Sequence, residues 1–444
     1  MTTPTHMPYV TLVTLGCPKN QVDSEHLLRA LHREGIYNTD SVEDAGIILV
    51  NTCGFINDAK EESINEVINL AQHKGSDRKL VVFGCLSQRY KDELVKELPE
   101  IDAIWGVDKA DEIVRYCKDT LSPGVRPAPG GQRPLAQFAS HAIPSGVTGG
   151  GLYAYIKIAE GCNRPCGYCV IPAIRGGFRS VPAAAVIAEA EACIKAGKKE
   201  LILVAQDLTY YGKDIGYDLP HLIGDIAAIS GDFWIRLLYL YPTALSDALL
   251  EVISAQDKVC KYLDIPLQHS EDKVLRAMGR AGGRRYYADL LRRLRRDIPD
   301  VALRTTFIVG YPGETQEDFN GLKAFVGEAG FDCLGVFAYS DEEGTAAYHL
   351  PDKVSERTKK KRLDELMSMQ GQISYERNAR YVGRRFRALI DETTAELTIA
   401  RLYCHAPEID GSVLIRGQSP AKVYDFTDVE ITSALQYDLV GCLA

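Results

Sequence analysis

The sequence predicts an α/β protein built in three parts: an N-terminal doubly wound parallel sheet, a partial (β/α)6 barrel, and a small C-terminal antiparallel β-barrel of OB-like size. Three observations carry this reading. Short apolar runs alternate with helical stretches over the first 120 residues. After a break rich in proline and glycine, a second and longer series of six β/α units begins. The last 64 residues then alternate as short strands with turn residues between them. Buried parallel strands read as continuous apolar runs, whereas antiparallel strands alternate.

The first strands are predicted at 9–15 (YVTLVTL), 47–52 (IILVNT), 79–84 (KLVVFG) and 103–106 (AIWG), with helices near 21–33, 57–73, 88–98 and 108–119. These make a domain over 1–120. The segment 121–151 holds five Pro and seven Gly in 31 residues and reads as a linker. The barrel, 152–380, has strands at 153–158, 200–206, 234–240, 260–266, 302–310 and 333–339, a helix at 182–197, and a closing charged helix near 355–380. Eight such units usually take about 250 residues, so six in this span give a partial barrel. The tail, 381–444, carries RRFRALID, ELTIARLY, SVLIRG and DFTDVEIT as short strands.

Composition narrows the class. The chain has 444 residues, 46% hydrophobic and 25% charged, with net charge -9. That excludes global disorder, collagen-like repeats and a coiled coil. No apolar run approaches the ~20 residues that span a bilayer. The first residues lack a basic segment followed by an apolar core, so no signal peptide and no membrane partner are expected, and the expected location is cytoplasmic. In a reducing compartment the twelve cysteines are read as metal ligands, catalytic thiols or buried core, not as disulfides.

Two cysteine constellations carry chemistry. EGCNRPCGYC (160–169) places Cys162, Cys166 and Cys169 in CxxxCxxC spacing directly after the first barrel strand. Thiolates are the usual ligands of iron–sulfur clusters. Three on one loop leave the fourth iron of a four-iron cluster open to chelate a small molecule through an amine and a carboxylate. The position suits a β/α barrel, whose sites lie at the C-terminal ends of strands. A zinc knuckle would need the usual C…H completion, which is missing. In the first domain, strands end in LGC (Cys17), NTC (Cys53) and FGC (Cys85). Ligands of open α/β sheets collect beyond the carboxyl ends of strands, so these three favour a shared metal site.

The CxxxCxxC motif, with aromatic Tyr168 before its third cysteine, resembles the radical-SAM enzymes. That resemblance implies reductive cleavage of S-adenosyl-L-methionine (SAM) to methionine and a 5′-deoxyadenosyl radical. Both constellations together are similar to the methylthiotransferases, whose third part is a TRAM barrel, and the resemblance covers nearly the whole chain. GCPKNQVDSE (16–25) and APEIDG (406–411) look like the RimO type, which acts on an aspartate of ribosomal protein S-twelve. The tRNA-modifying relatives tend to carry Gln-Met-Asn where this chain has Pro18, Lys19 and Asn20. The resemblance implies two 4Fe-4S clusters, an auxiliary one on Cys17, Cys53 and Cys85 and a SAM cluster on Cys162, Cys166 and Cys169. It also implies SAM contacts at Tyr168, Gln206, Arg304, Ile308, Val309 and Gly310, and no side chain acting as general base. As partners it implies ribosomal protein S-twelve, an electron donor such as flavodoxin or ferredoxin, and a sulfur source. Departures from the family pattern fall at Val181, where an arginine is common, and at His405, where an aspartate is expected.

Two other readings stand beside this one: the same chemistry on a tRNA adenosine, and a non-enzymatic iron–sulfur carrier. The tail weighs against the first. Residues 380–444 hold seven Lys/Arg against nine Asp/Glu, whereas a module binding phosphates should be basic. The arginines at 284–296 fall on a helix whose leucines repeat at helical spacing, which reads as a solvated face. His269, in PLQHS at a strand end, reads as a satisfied polar residue or a cavity group.

Overall fold

A computed structural model describes residues 8–121, 151–418, 423 and 425–444, so the predicted linker lies almost wholly outside the described residues. The chain divides into two compact units. One comprises Met1–Gly149 and Val170–Gly176, the other Gly150–Cys169 and Gly177–Ala444.

The first unit is a five-stranded sheet of β1 (Tyr9–Thr14), β2 (Tyr37–Asn38), β3 (Ile47–Thr52), β4 (Lys79–Gly84) and β5 (Ala103–Ile104), in the order β2-β1-β3-β4-β5. Every pairing is parallel. Its two faces bury separate cores. Val10, Ile47, Leu49 and Val81 meet Leu27 and Leu31 of helix Pro18–Arg33 and Ile113 of helix Ala110–Thr120. Ile48, Val50 and Val82 meet Val67 and Leu70 of helix Asn57–His73 on the other side. The sheet is therefore doubly wound, and its strand order reverses between β1 and β3. That reversal is where an open α/β sheet forms its ligand crevice. The short strand Tyr37–Asn38 escapes sequence reading because two residues carry no periodicity.

The second unit holds β6 (Tyr153–Lys157), the short pair β7 (Ala159–Glu160) and β8 (Arg179–Ser180), then β9 (Glu200–Val204), β10 (Trp234–Leu237), β11 (Val259–Asp264), β12 (Ala302–Val309) and β13 (Cys333–Ala338). The order β13-β12-β11-β10-β9-β6 is parallel throughout. Alternation along β12 shows the two faces. Leu303, Phe307 and Val309 join the large core under the helices, while Arg304, Thr306 and Ile308 point the other way and are half-buried.

The tail forms a closed barrel of five strands: β14 (Arg385–Thr393), β15 (Leu397–Arg401), β16 (Val413–Arg416), β17 (Phe426–Ala434) and β18 (Leu439–Leu443), closed as β14-β15-β16-β18-β17. Four strands are predicted there. The fifth closes the barrel by running parallel to β16 and antiparallel to β17. Among the described residues no helix is long and apolar enough to cross a membrane.

Candidate metal centres and SAM site

In the first unit the three cysteines meet because β1, β3 and β4 are neighbours, each about 4.8 Å from the next. Each strand runs into a loop or helix that begins with its cysteine. Helix Pro18–Arg33 starts directly after Cys17, whose carbonyl accepts the amides of Asn20 and Gln21 at 2.9 and 3.3 Å. Cys53 is fixed by Ser63, whose Oγ accepts the Cys53 amide at 2.9 Å and donates to the Cys53 carbonyl at 3.0 Å. Cys85 opens the short helix Cys85–Arg89.

Two glycines permit the close approach. A Cβ on Gly16, whose φ is +93°, would stand 2.8 Å from Cys53 Sγ, and one on Gly54 would stand 2.7 Å from the backbone of Leu86. Gly54→Ala is therefore expected to push the β3 and β4 ends apart. The expected cost is about 1–3 kcal/mol of stability, with less iron bound by the first unit's cysteines. Thermal unfolding and iron quantification check both.

Burial pushes the Cys53 thiol up, and it pushes Cys85 up to about 12, with repulsion from Cys17 adding to both. All twelve cysteines are free thiols, so no disulfide competes for these six. Among the described residues no three His, Cys, Asp or Glu side chains converge tightly enough to hold a single metal ion. A four-iron cluster asks for something wider, because each thiolate takes a different iron. Three thiols within charge reach of one another, those of Cys53 and Cys85 buried and that of Cys17 half-buried, suit that demand.

In the second unit β7 and β8 pair Ala159 with Ser180 and Glu160 with Arg179, pinning the base of the cysteine segment. Within it Gly167 donates to the Met278 carbonyl and accepts from the Ala347 amide, both at 2.8 Å. The Arg164 amide donates to Cys162 Sγ at 3.4 Å, and Arg280 Nη1 lies 3.9 Å from Cys166 Sγ. Burial raises the Cys162 thiol, and the charge of Cys166 adds to it. Cys169 is half-buried beside Tyr168. One short loop thus presents three thiols together.

The predicted SAM contacts divide. Tyr168 and Ile308 meet in an apolar cluster with Val274, Met278, Tyr311 and Tyr339. Gln206 donates to Glu160 Oε1 at 3.1 Å, Lys157 sits 2.6 Å from Glu160 Oε2, and Gln206 Oε1 is buried without a partner. An orphaned acceptor beside a carboxylate, at the strand ends next to Cys162, suits the amine of an amino acid such as SAM's methionine end.

The other three are engaged elsewhere. Val309 alternates away from Ile308 into the core beneath the helices. Gly310 gives its amide to the Glu314 carboxylate, and a Cβ there would meet Lys359 Cγ at 2.3 Å, so that side faces the protein's own helix Glu356–Ala379. Arg304 pairs with Asp264 at 2.9 Å and Asp410 at 3.5 Å, in the barrel interior and below the strand ends. Its charge is accounted for by these carboxylates.

Sequence reasoning missed two arginines here. Arg164 and Arg280 both pack against one ring, with guanidinium carbons 3.7 and 4.3 Å from the Tyr241 centroid, and Arg164 also binds Asp207 at 2.6 Å. They place positive charge beside the thiol loop. A lone Arg before CGYC gives no signal of this, since its partners come from other strands. His269 is fully buried, accepts the Glu271 amide at Nδ1 and is pushed by burial down to about 3, so it stays neutral. The basic helix Arg284–Asp297 is tied internally: Arg284 to Glu271, Arg292 to Asp289, Arg293 to Asp247 and Asp297, and Arg295 to the Gly330 carbonyl. His405, also buried, accepts the Leu402 amide at Nδ1 and is lowered by burial to about 4.

Three stretches of the chain match known protein families. Residues 9–106 match the uncharacterized protein family UPF0004, 156–326 the Radical SAM superfamily, and 382–443 the TRAM domain. The chain is 48% identical over 440 residues to the ribosomal protein uS12 methylthiotransferase RimO of Thermodesulfovibrio yellowstonii, covering 98% of this chain and 100% of that protein. It is 45% identical to the protein of the same name from Natranaerobius thermophilus, covering 97% and 98%. Among solved structures it is similar to the radical SAM methyltransferase TsrM of Kitasatospora setae, solved with cobalamin and a [4Fe-4S] cluster. The TM-score is 0.54 at 16% identity, covering 77% of each chain, and this likeness speaks to fold alone.

Proposed function

The chain belongs to the ribosomal protein uS12 methylthiotransferase RimO family, and on that premise we propose how its own residues divide the work. It is a radical-SAM methylthiotransferase that uses SAM and 4Fe-4S clusters. The substrate is an aspartate of ribosomal protein uS12, whose β-carbon hydrogen is replaced by a methylthio group. One SAM gives up its methyl group, and a second leaves as methionine and 5′-deoxyadenosine, the latter carrying the hydrogen. A cluster on Cys162, Cys166 and Cys169 supplies, when bound, the electron for that cleavage.

The protein's part is binding, orientation and exclusion of competing reactions. Cys17, Cys53 and Cys85 hold the auxiliary group on the first unit. Glu160 and Gln206 take the amine of SAM, and Tyr168 and Ile308 line its apolar side. No general base is assigned, since the β-carbon has no acidic proton to give. The parts are residues 1–120, 152–380 and 381–444, joined by a linker at 121–151. An electron donor of the flavodoxin or ferredoxin class and a separate sulfur source complete the reaction, in the cytoplasm.

The convergence of Cys17, Cys53 and Cys85 at the crevice of the first sheet carries this reading, because SAM cleavage alone needs only the second trio. The names of the relatives do not favour a tRNA target or a non-enzymatic carrier. Mass spectrometry of uS12 from a strain lacking this protein is expected to show loss of a methylthio mass. An unchanged mass would reject the substrate, and nucleoside analysis of tRNA from the same strain would then test the other target.

A further inference from the structure

Arg175 is the last residue of the five-residue helix Ile171–Arg175, six positions after Cys169, and it packs within the first unit. It is 3% exposed. Burying a guanidinium is costly unless each face finds a partner. Nη1 meets Asp23 at 3.0 Å, and Nη2 donates to Asn20 Oδ1 at 2.6 Å and to Cys85 Sγ at 3.3 Å. Asn20 is itself fixed, donating to the Leu15 and Thr52 carbonyls at 2.8 and 3.3 Å. Val107, Val170 and Ile174 surround Cys85 on the apolar side. A cation therefore sits against one of the three candidate ligands of the auxiliary site, in surroundings poor in water, where charge interactions are strong.

We propose that Arg175 is a positioning residue of the auxiliary site that tunes its redox poise: its guanidinium donates to the Cys85 sulfur and raises the reduction potential of the cluster bound there. Reduction adds one negative charge to a cluster. A fixed cation and a hydrogen bond to a ligand sulfur stabilise that added charge, and both are among the levers that set cluster potentials. The guanidinium keeps its protons throughout, so one electron enters and nothing else moves. The inference rests on the auxiliary-cluster reading above.

The test uses the full chain with Cys162, Cys166 and Cys169 replaced by alanine, reconstituted anaerobically and titrated with dithionite while the reduced cluster is followed by EPR. If this parent binds no cluster, the auxiliary-site reading fails and this inference with it. If it does bind one, Arg175→Gln is expected to favour the oxidised form about tenfold, a fall of about 59 mV for one electron. An equal potential in R175Q overturns the role of Arg175 alone. Should R175Q unfold by circular dichroism, Asp23→Asn decides. It removes the countercharge and leaves the guanidinium, so the potential is expected to rise, and an unchanged or lowered potential overturns the proposal.

Discussion

Alanine at Cys162, Cys166 and Cys169 is expected to reduce 5′-deoxyadenosine formation by at least about three orders of magnitude, to assay background. Alanine at Cys17, Cys53 and Cys85 is expected to leave that reaction standing and to abolish methylthio transfer. The split follows from the placement of the two trios. The second trio stands on one loop whose base is pinned by β7 and β8 and whose middle is clamped by Met278 and Ala347. Exchanging its thiols for small apolar groups leaves those backbone bonds in place, so the loss reports on ligation and not on folding. The first trio stands on three separate strand ends of another compact unit. Incubating each reconstituted variant with SAM, dithionite and uS12, and measuring both 5′-deoxyadenosine and product mass, resolves the two. Deoxyadenosine at the parental rate from the second-trio variant would overturn the assignment of SAM cleavage to Cys162, Cys166 and Cys169. Product from the first-trio variant would remove the auxiliary site.

How much of this was legible depended on whether the signal was local. The parallel strands announce themselves as apolar runs, and CxxxCxxC is a contiguous motif. The cysteines at 17, 53 and 85 were legible because a parallel sheet places all its carboxyl strand ends along one edge. Successive side chains of a strand face opposite sides, so Ile308 lies in the cluster with Tyr168 while the Val309 side chain joins the core beneath the helices. The sequence leaves Arg304 open between a SAM contact and a structural salt bridge, because tertiary packing alone brings Asp264 and Asp410 to it. Arg175, Arg164 and Arg280 were invisible for the same reason: each is defined by partners that tertiary packing supplies. The final strand Leu439–Leu443 is short; it follows β17 through a tight hairpin and also pairs in parallel with β16, which is distant in sequence.

Arg401→Met is expected to destabilise the second unit by about 3–5 kcal/mol, the usual cost of breaking a buried ion pair by removing one partner. That is a fall in Tm on the order of 10 °C for a unit of this size. Glu200, at the start of β9, is fully buried and takes Arg236 Nε and Arg401 Nη1, each at 2.5 Å. Arg401 also forks onto Asp391 at 2.7 and 3.0 Å, while Arg236 donates to the Tyr403 carbonyl at 2.7 Å. Nearby, Tyr262 donates to Asp410 at 2.7 Å and Tyr153 binds Glu408. The segment 401–410 thus fastens the terminal barrel to residues at the starts of the parallel strands, at the end opposite the cysteine loop. Burial works to raise the Glu200 carboxyl, but the two guanidiniums outweigh it and hold it below its ordinary value. A carboxylate depressed in the folded state adds stability above its unfolded pKa and loses it as pH falls through the folded one. The parent should therefore lose stability on the acid side of the usual carboxylate range, and R401M should lose less there because it has less to lose. Glu200→Gln combined with R401M should cost less than the two changes added, since it removes the charge left behind. Thermal melts of the three variants between neutral and acid pH check this, and an R401M melt matching the parent would show that the network holds nothing together.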